Sequence, residues 1–249
     1  MSYLTKIHRK LILKGINMDT YFGKIKCIKI GKVVTEHVGT SEIEFLSAIK
    51  KYPVLEAYLS KTGFIGDEQG DTEHHGGENK AVLFFSSISY NRINSLYNYN
   101  FEFDGLAYYG ENLLVSHMNE ENVCIGDVLG IGDAIIEVSQ PRQPCRKLST
   151  NTGVNAMAKI IYKSGLSGWY GRVLKEGTLK QDDMVVLKKR RFPDLTISVM
   201  NQLMIDPTSN PFLLEKALQA DSLGNAFRTS LENRYLYDSY EHLSYQTWE

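Results

Sequence analysis

The sequence is short of cysteine, has no long apolar run and carries almost no net charge. Each shortage removes a class of protein. The three cysteines, Cys27, Cys124 and Cys145, are widely spaced and odd in number. They exclude a full disulfide framework and any Cys-x-x-Cys zinc pattern, and they fit a reducing, cytoplasmic setting. No stretch of roughly eighteen apolar residues occurs, so no membrane-spanning helix is expected. Lys and Arg (28) nearly balance Asp and Glu (29), for a net charge of −1. No global field therefore draws the chain to nucleic acid or to an anionic membrane. Gly-x-Ser-x-Gly is absent, as is a Walker-type Gly-Lys-Ser/Thr ending. No internal repeat or low-complexity segment occurs. What remains, 43% hydrophobic and 23% charged over 249 residues, is the composition of an ordinary globular chain with room for one large domain and a small appendage.

The first residues carry Lys6, Arg9, Lys10 and Lys14 with no acid and only Leu11–Leu13 as an apolar core. That is too little for a signal peptide. With Met18 as a second plausible start, residues 1–17 read as an upstream-start artefact or a loose tail, and residues 1–18 are set apart as an N-terminal tail. Phe22–Val34 then alternates apolar and polar residues as a strand does, and Pro53 marks an edge segment. Val54–Thr62 reads as strand or short helix. Ala81–Phe85 is a short buried strand, and Ser86 or Ser87 caps a helix with Ile93, Leu96 and Tyr97 on one face. Tyr108–Val115 turns into a strand. Val123–Leu129 and Ala134–Ser139 follow as strands, with Gly126-Asp127 a turn between shorter pieces. Val154, Met157, Ala158 and Ile161 keep helical spacing, with Asn151 or Thr152 as cap and Gly165 as stop. Gly168–Leu174 and Met184–Lys189 are further strands. Past the basic run Lys188–Arg191, which reads as a solvated strand end, the pattern turns helical: Leu195–Leu203, Pro211–Ala220 capped by Asn210, and Ala226–Tyr237. Each helix is too short to stand alone, so the three are expected to pack as a small bundle. The boundary falls near residue 192, giving a predominantly β domain over 19–192 and a helical one over 193–249. The tyrosines of Tyr235–Tyr245 sit at helical spacing, as an internal face or a homodimer contact.

Two segments carry chemistry. Gly63–Lys80, GFIGDEQGDTEHHGGENK, is rich in glycine and holds Asp67, Asp71, His74, His75 and Lys80. Its donor types suit a divalent metal, but their spacing matches no metal signature. A phosphate cradle of backbone N–H groups with Lys80 as the charge is a second reading, and a plain connecting loop a third. Ile135–Leu148, IIEVSQPRQPCRKL, is a strand running into a Pro-x-x-Pro turn that presents Cys145 among Arg142, Arg146 and Lys147. Nearby cations favour thiolate, making the sulfur a better nucleophile and metal ligand. The competing reading is a buried structural cysteine.

Taken together, GFIGDEQGDTEHHGGENKAV, YGENL and VSQPRQPCRKL, followed by GVNAMAK and SGWYGRVL, resemble the MOSC family (molybdenum cofactor sulfurase C-terminal domain). The order of segments, helical tail included, resembles the stand-alone YiiM-type members with a C-terminal three-α domain, over roughly residues 20–240. The resemblance implies a mainly β, barrel-like MOSC domain with a few helices, followed by the small α-helical bundle. It implies molybdenum–pterin cofactor binding with Cys145 as the thiolate ligand to molybdenum and the catalytic residue. It also makes Lys51, His75, Lys80, Arg142 and Arg146 candidates to neutralise the cofactor's phosphate and hold the pterin. Asp67 falls on the family's Gly-Asp element, and Asn112, in Gly-Glu-Asn-Leu, is a candidate hydrogen-bonding partner. Cys27 and Cys124 fall outside the motif positions and read as structural.

The implied activity is that of an oxidoreductase: molybdenum-dependent reduction of N-hydroxylated small molecules such as hydroxylaminopurines, with detoxification as the outcome. Without a ferredoxin-type cysteine cluster, electrons are expected from a separate flavoprotein or thioredoxin-like donor. Without an aminotransferase-like domain, no pyridoxal phosphate is expected. The alternative is a non-catalytic carrier that hands the cofactor, or a persulfide on Cys145, to another enzyme.

Overall fold

The computed structural model describes residues 20–37, 44–70 and 76–238. Seven strands close into a barrel: β1 (Tyr21–Ile30), β7 (Val82–Ser86), β8 (Leu113–Ser116), β9 (Val128–Ile131), β10 (Ala134–Pro141), β11 (Trp169–Lys175) and β13 (Met184–Lys189). They follow one another in space as β13-β9-β10-β11-β7-β8-β1, and β1 pairs back onto β13 with Tyr21 opposite Val186. All contacts in the ring are antiparallel except β7 with β8. Closure removes the sheet edges that would otherwise expose unpaired backbone groups. β7 is buried at every position, as its run of Val, Leu and two Phe requires.

Outside the ring lie β2 (Val34–His37) paired with β3 (Glu44–Ser47), and β4 (Tyr52–Val54), which adds to β1 with Pro53 opposite Lys29. Proline sits there because the outer side of an edge strand needs no donor. The ambiguous stretch after Val54 is strand: β5 (Glu56–Ser60), between β6 (Gly63–Phe64) and β12 (Gly177–Lys180). The sequence pattern did not reveal β12, and Val123–Leu129 is strand only from Val128, the preceding residues forming a turn in which Asp127 Oδ2 accepts from the Cys124 N–H at 2.9 Å.

Three helices cover one side of the barrel. α1 (Ser87–Tyr97) is capped by Ser86, whose Oγ accepts from the Ile88 N–H at 3.0 Å. Its buried face carries Ser89, Tyr90 and Ile93, while Leu96 (66% exposed) and Tyr97 point away, against the expectation of one apolar face. α2 (Lys147–Thr152) and α3 (Met157–Ser164) replace the single helix expected after Cys145. Asn151 and Thr152 are therefore not the cap of α3 but the end of α2, because Gly153 turns the chain through a left-handed conformation between them. Asn151 instead donates from Nδ2 to the carbonyls of Ala107 and Tyr108 at 2.8 Å each. Gly165 ends α3 as expected, at φ +68.

The tail helices are α4 (Ile197–Ile205), α5 (Pro211–Gln219) and α6 (Asn225–Tyr237). Thr196 and Asn210 accept from the N–H groups of Val199 and Leu213 and cap α4 and α5. Their buried residues Met200, Leu203, Leu214, Ala217, Phe227 and Leu231 join the barrel core of Ile25, Phe84, Ile136 and Trp169 in one continuous cluster. The basic run Lys188–Arg191 is exposed throughout, and its two arginines are also paired. Arg190 grips Asp127 through two nitrogens at 2.8 and 2.7 Å, and Arg191 reaches Asp221 at 2.8 Å. No helix among the described residues is long and apolar enough to cross a membrane.

Candidate active site

One cleft gathers most of the residues singled out in the sequence. Cys145, Lys51, Asp67, Lys80, Asn112 and Arg142 all line it, together with Lys147, Tyr109, Tyr170 and Gln69. It encloses about 620 Å³ between protein atoms, part of it open to solvent. Its walls come from far apart in the chain: the segment after β3, the loop after β6, the turn before β7, the start of β8 and the loop after β10. His75 lies outside the described residues, as do Asp71 and His74. Arg146 does not line the cleft; it is exposed at the cap of α2, its carbonyl accepting from the Ser149 N–H at 2.9 Å.

Cys145 sits at the end of the loop that leaves β10, 8% exposed and not in a disulfide. That loop is pinned on both sides: Arg142 N–H donates to the Gly168 carbonyl at 3.1 Å, and Cys145 O accepts from Leu148 N–H at 3.0 Å as α2 begins. The other cysteines differ in kind. Burial pushes the Cys27 thiol up, and burial with the Asp127 charge pushes Cys124 up to about 11. Both are buried, Cys27 among apolar side chains.

Three of the polar residues bind one another. Lys51 Nζ stands 2.5 and 2.6 Å from the two carboxylate oxygens of Asp67, and Asn112 Nδ2 donates to Asp67 Oδ2 at 2.9 Å. The Gly31 N–H donates to Asp67 Oδ1 at 2.8 Å. Asn112 also accepts from the Leu83 N–H at 3.2 Å and donates to the Lys29 carbonyl at 3.2 Å. The carboxylate thus ties β1, β4 and β8 together at one wall. Directly behind it lies a fully buried pair, Lys29 Nζ to Glu111 Oε1 at 2.6 Å, joined by the Tyr90 hydroxyl at 2.7 Å. Burial, with the Glu111 charge beside it, holds the Tyr90 phenol well above its ordinary range.

Arg142 is the opposite case. It is 4% exposed, yet its Nε and Nη1 have no hydrogen-bond partner among the described residues. Buried guanidinium N–H groups left unpaired are costly, and such groups mark places where a ligand completes the pairing. The donor set fits a soft metal with an anionic, acceptor-rich organic group: one thiol, Arg142 with open donors, and the ammonium groups of Lys80 and Lys147 on the same walls. No cluster of three or more His, Cys, Asp or Glu able to hold a metal by itself occurs among the described residues. Three of the four donors of the metal reading, Asp71, His74 and His75, lie outside the described residues, and Asp67 itself is taken up by Lys51, Asn112 and the Gly31 N–H.

A family model described as the MOSC domain matches residues 71–186. YflK of Bacillus subtilis (strain 168) is 33% identical over 204 residues, 82% of this chain and 90% of that protein. The chain belongs to the MOSC domain family. A relative from Gibberella moniliformis, named "Reductase", is 35% identical over 184 residues, 74% of this chain but 31% of that longer protein. The crystal structure of YiiM from Geobacillus stearothermophilus superposes with a TM-score of 0.69 at 27% identity, covering 85% of this chain and 98% of that one.

The sequence reading named Lys147 only as a cation beside Cys145, and did not single out Tyr109, Tyr170 or Gln69 as wall residues. Tyr109 could have been found, since it immediately precedes Gly-Glu-Asn-Leu. Gln69 could not: its place shows only in the fold, where a Cβ at Gly76 would fall 1.8 Å from its Oε1.

Proposed function

We propose that the cleft binds a molybdenum–pterin cofactor, with the Cys145 thiolate as protein ligand to molybdenum, and that the protein reduces N-hydroxylated small molecules such as hydroxylaminopurines. The observation that carries this reading is the company Cys145 keeps. A nearly buried thiol shares its cleft with Arg142, whose buried N–H groups lack partners, and with two lysines. That combination accepts a soft metal on sulfur and acceptor oxygens and nitrogens on the guanidinium. The cofactor, when bound, supplies the two-electron redox chemistry that no side chain here can perform.

The protein's own part is to hold and orient. Arg142, Lys80 and Lys147 neutralise phosphate and fix the pterin. Asp67, locked to Lys51 and Asn112, keeps the opposite wall in place and does not contribute free charge. The overall conversion is R–NH–OH + 2e⁻ + 2H⁺ → R–NH₂ + H₂O, with the electrons delivered by a separate flavoprotein or thioredoxin-like donor. The family membership and the reductase-named relative support the reading.

The test is reduction of a hydroxylaminopurine by protein purified from a host that makes the cofactor, with a chemically reduced viologen as electron source. Wild type converts it to the amine, and Cys145→Ala does not. Full activity in Cys145→Ala would contradict the proposal. A persulfide on Cys145 with no molybdenum would replace it with a sulfur-carrier role.

A further inference from the structure

The cleft wall that carries Lys80 is held by groups with no part in the proposal above. Residues 77–80 form a single tight turn, closed by the Lys80 N–H donating to the Gly77 carbonyl at 3.0 Å. Its third residue, Asn79, is gripped twice by the barrel. The Asn79 carbonyl accepts from Ser139 Oγ of β10 at 2.6 Å, and Asn79 Oδ1 accepts from Arg172 Nε of β11 at 2.9 Å. Arg172 then spends its remaining nitrogens elsewhere: Nη1 donates to Glu137 Oε2 at 3.0 Å and Nη2 to the Ser222 carbonyl at 3.2 Å. Ser222 lies in the turn between α5 and α6, 1% exposed, and its own Oγ donates to Glu137 Oε1 at 3.0 Å. The same turn is fastened again by the Gly224 N–H on the Ser139 carbonyl at 3.0 Å.

We propose that Arg172 is a positioning residue for the cleft, spanning from the α5–α6 turn to Asn79, so that the C-terminal helices brace the wall bearing Lys80. The argument is geometric. A guanidinium presents its N–H groups in a fixed planar fork, so three acceptors on three separate segments hold one another in place through it. Lysine keeps the charge but cannot span that fork. Among the described residues Arg172 is the side chain that reaches both Asn79 and the α5–α6 turn, beside Ser139, which donates to the Asn79 carbonyl and accepts from the Gly224 N–H. This goes beyond the proposed reaction and rests on it only where a ligand is used as readout.

The experiment is amide hydrogen exchange on the full chain, comparing wild type with Arg172→Lys, Asn79→Leu and Asn79→Asp, beside phosphate binding by calorimetry. Arg172→Lys and Asn79→Leu should each speed exchange at residues 76–81 by about tenfold, the loss of one hydrogen bond of ordinary net strength. Exchange within β7 should stay as in wild type. Asn79→Asp keeps an acceptor for Nε and should retain wild-type protection. The double variant should be no looser than either single one, since both cut the same link. Inorganic phosphate should bind more weakly to the two loosened variants and normally to Asn79→Asp. Unchanged exchange at 76–81 in Arg172→Lys, or equal loosening of β7, would overturn the brace. Wild type failing to bind phosphate would count against the cleft's anion-binding role and leave the exchange result to judge Arg172.

Discussion

Lys51 and Asp67 face each other inside the cleft as a two-pronged ion pair, the ammonium 2.5 and 2.6 Å from the two carboxylate oxygens and both side chains less than a tenth exposed. Sixteen residues of chain separate them, and the Gly31 N–H and Asn112 amide complete the carboxylate's hydrogen bonds. The pair is a clamp on the wall.

Cutting one side of the clamp should cost more than removing it whole. Asp67→Asn leaves the Lys51 charge buried without its partner, and urea unfolding should show a loss of about 3–5 kcal/mol. Replacing both, Lys51→Met with Asp67→Asn, should restore most of that stability, because no unpaired charge stays buried and the new amide oxygen can still accept at the Asp67 position, where the Gly31 N–H and the Asn112 amide donate. A double variant as unstable as Asp67→Asn would show that the two residues do not act as a pair.

Arg142 predicts the reverse trade. Its buried Nε and Nη1 lack partners among the described residues, so the ligand-free protein carries an unpaid desolvation cost. Arg142→Met should raise the stability of the cofactor-free protein by ~1–3 kcal/mol and at the same time abolish cofactor retention. Thermal unfolding of the cofactor-free protein and the molybdenum content after purification are the two readouts. A destabilised Arg142→Met would mean that the guanidinium has a structural partner.

Glu120 supplies the pH dependence. Its carboxylate is buried, accepting from Ser89 Oγ at 2.5 Å and the Gly168 N–H at 2.9 Å, and burial raises its folded-state pKa. With the folded value above the unfolded one of about 4.3, its contribution is complete below that pH. It is lost as pH rises, because the unfolded chain releases the proton first. Glu120→Gln removes the titration. The stability of the variant relative to wild type should therefore grow from about pH 4.3 upward and level off once the folded carboxyl has ionised. Urea unfolding at a series of pH values measures it, and a difference independent of pH would refute the assignment.

The residues that line the cleft were more legible than the architecture that gathers them. Cys145, Arg142, Lys80 and Asn112 stand in short contiguous motifs, so local sequence exposes them. The Lys51–Asp67 pairing is a contact between two loops with no shared period, and nothing in the chain before folding sets the carboxylate against the ammonium. Sequence nearness to Cys145 does not tell Arg146 from Lys147. As the start of α2, successive side chains there point about 100° apart, and Lys147 faces the cleft while Arg146 faces solvent. The strands were readable from alternation, but barrel closure depends on β1 meeting β13, a contact between the two ends of the domain that no local pattern contains. Gly177–Lys180 was missed for the same reason: it is a strand only because β5 lies beside it. In α1, spacing puts Ile93, Leu96 and Tyr97 on one face, but only Ile93 of the three is buried.

The central claim is that Cys145 ligates molybdenum. Molybdenum analysis with X-ray absorption at the molybdenum edge, on protein from a cofactor-producing host, tests it most directly. Wild type should carry stoichiometric molybdenum with one more sulfur in its coordination shell than Cys145→Ala retains. Equal molybdenum content and an identical sulfur shell in the two proteins would contradict the account.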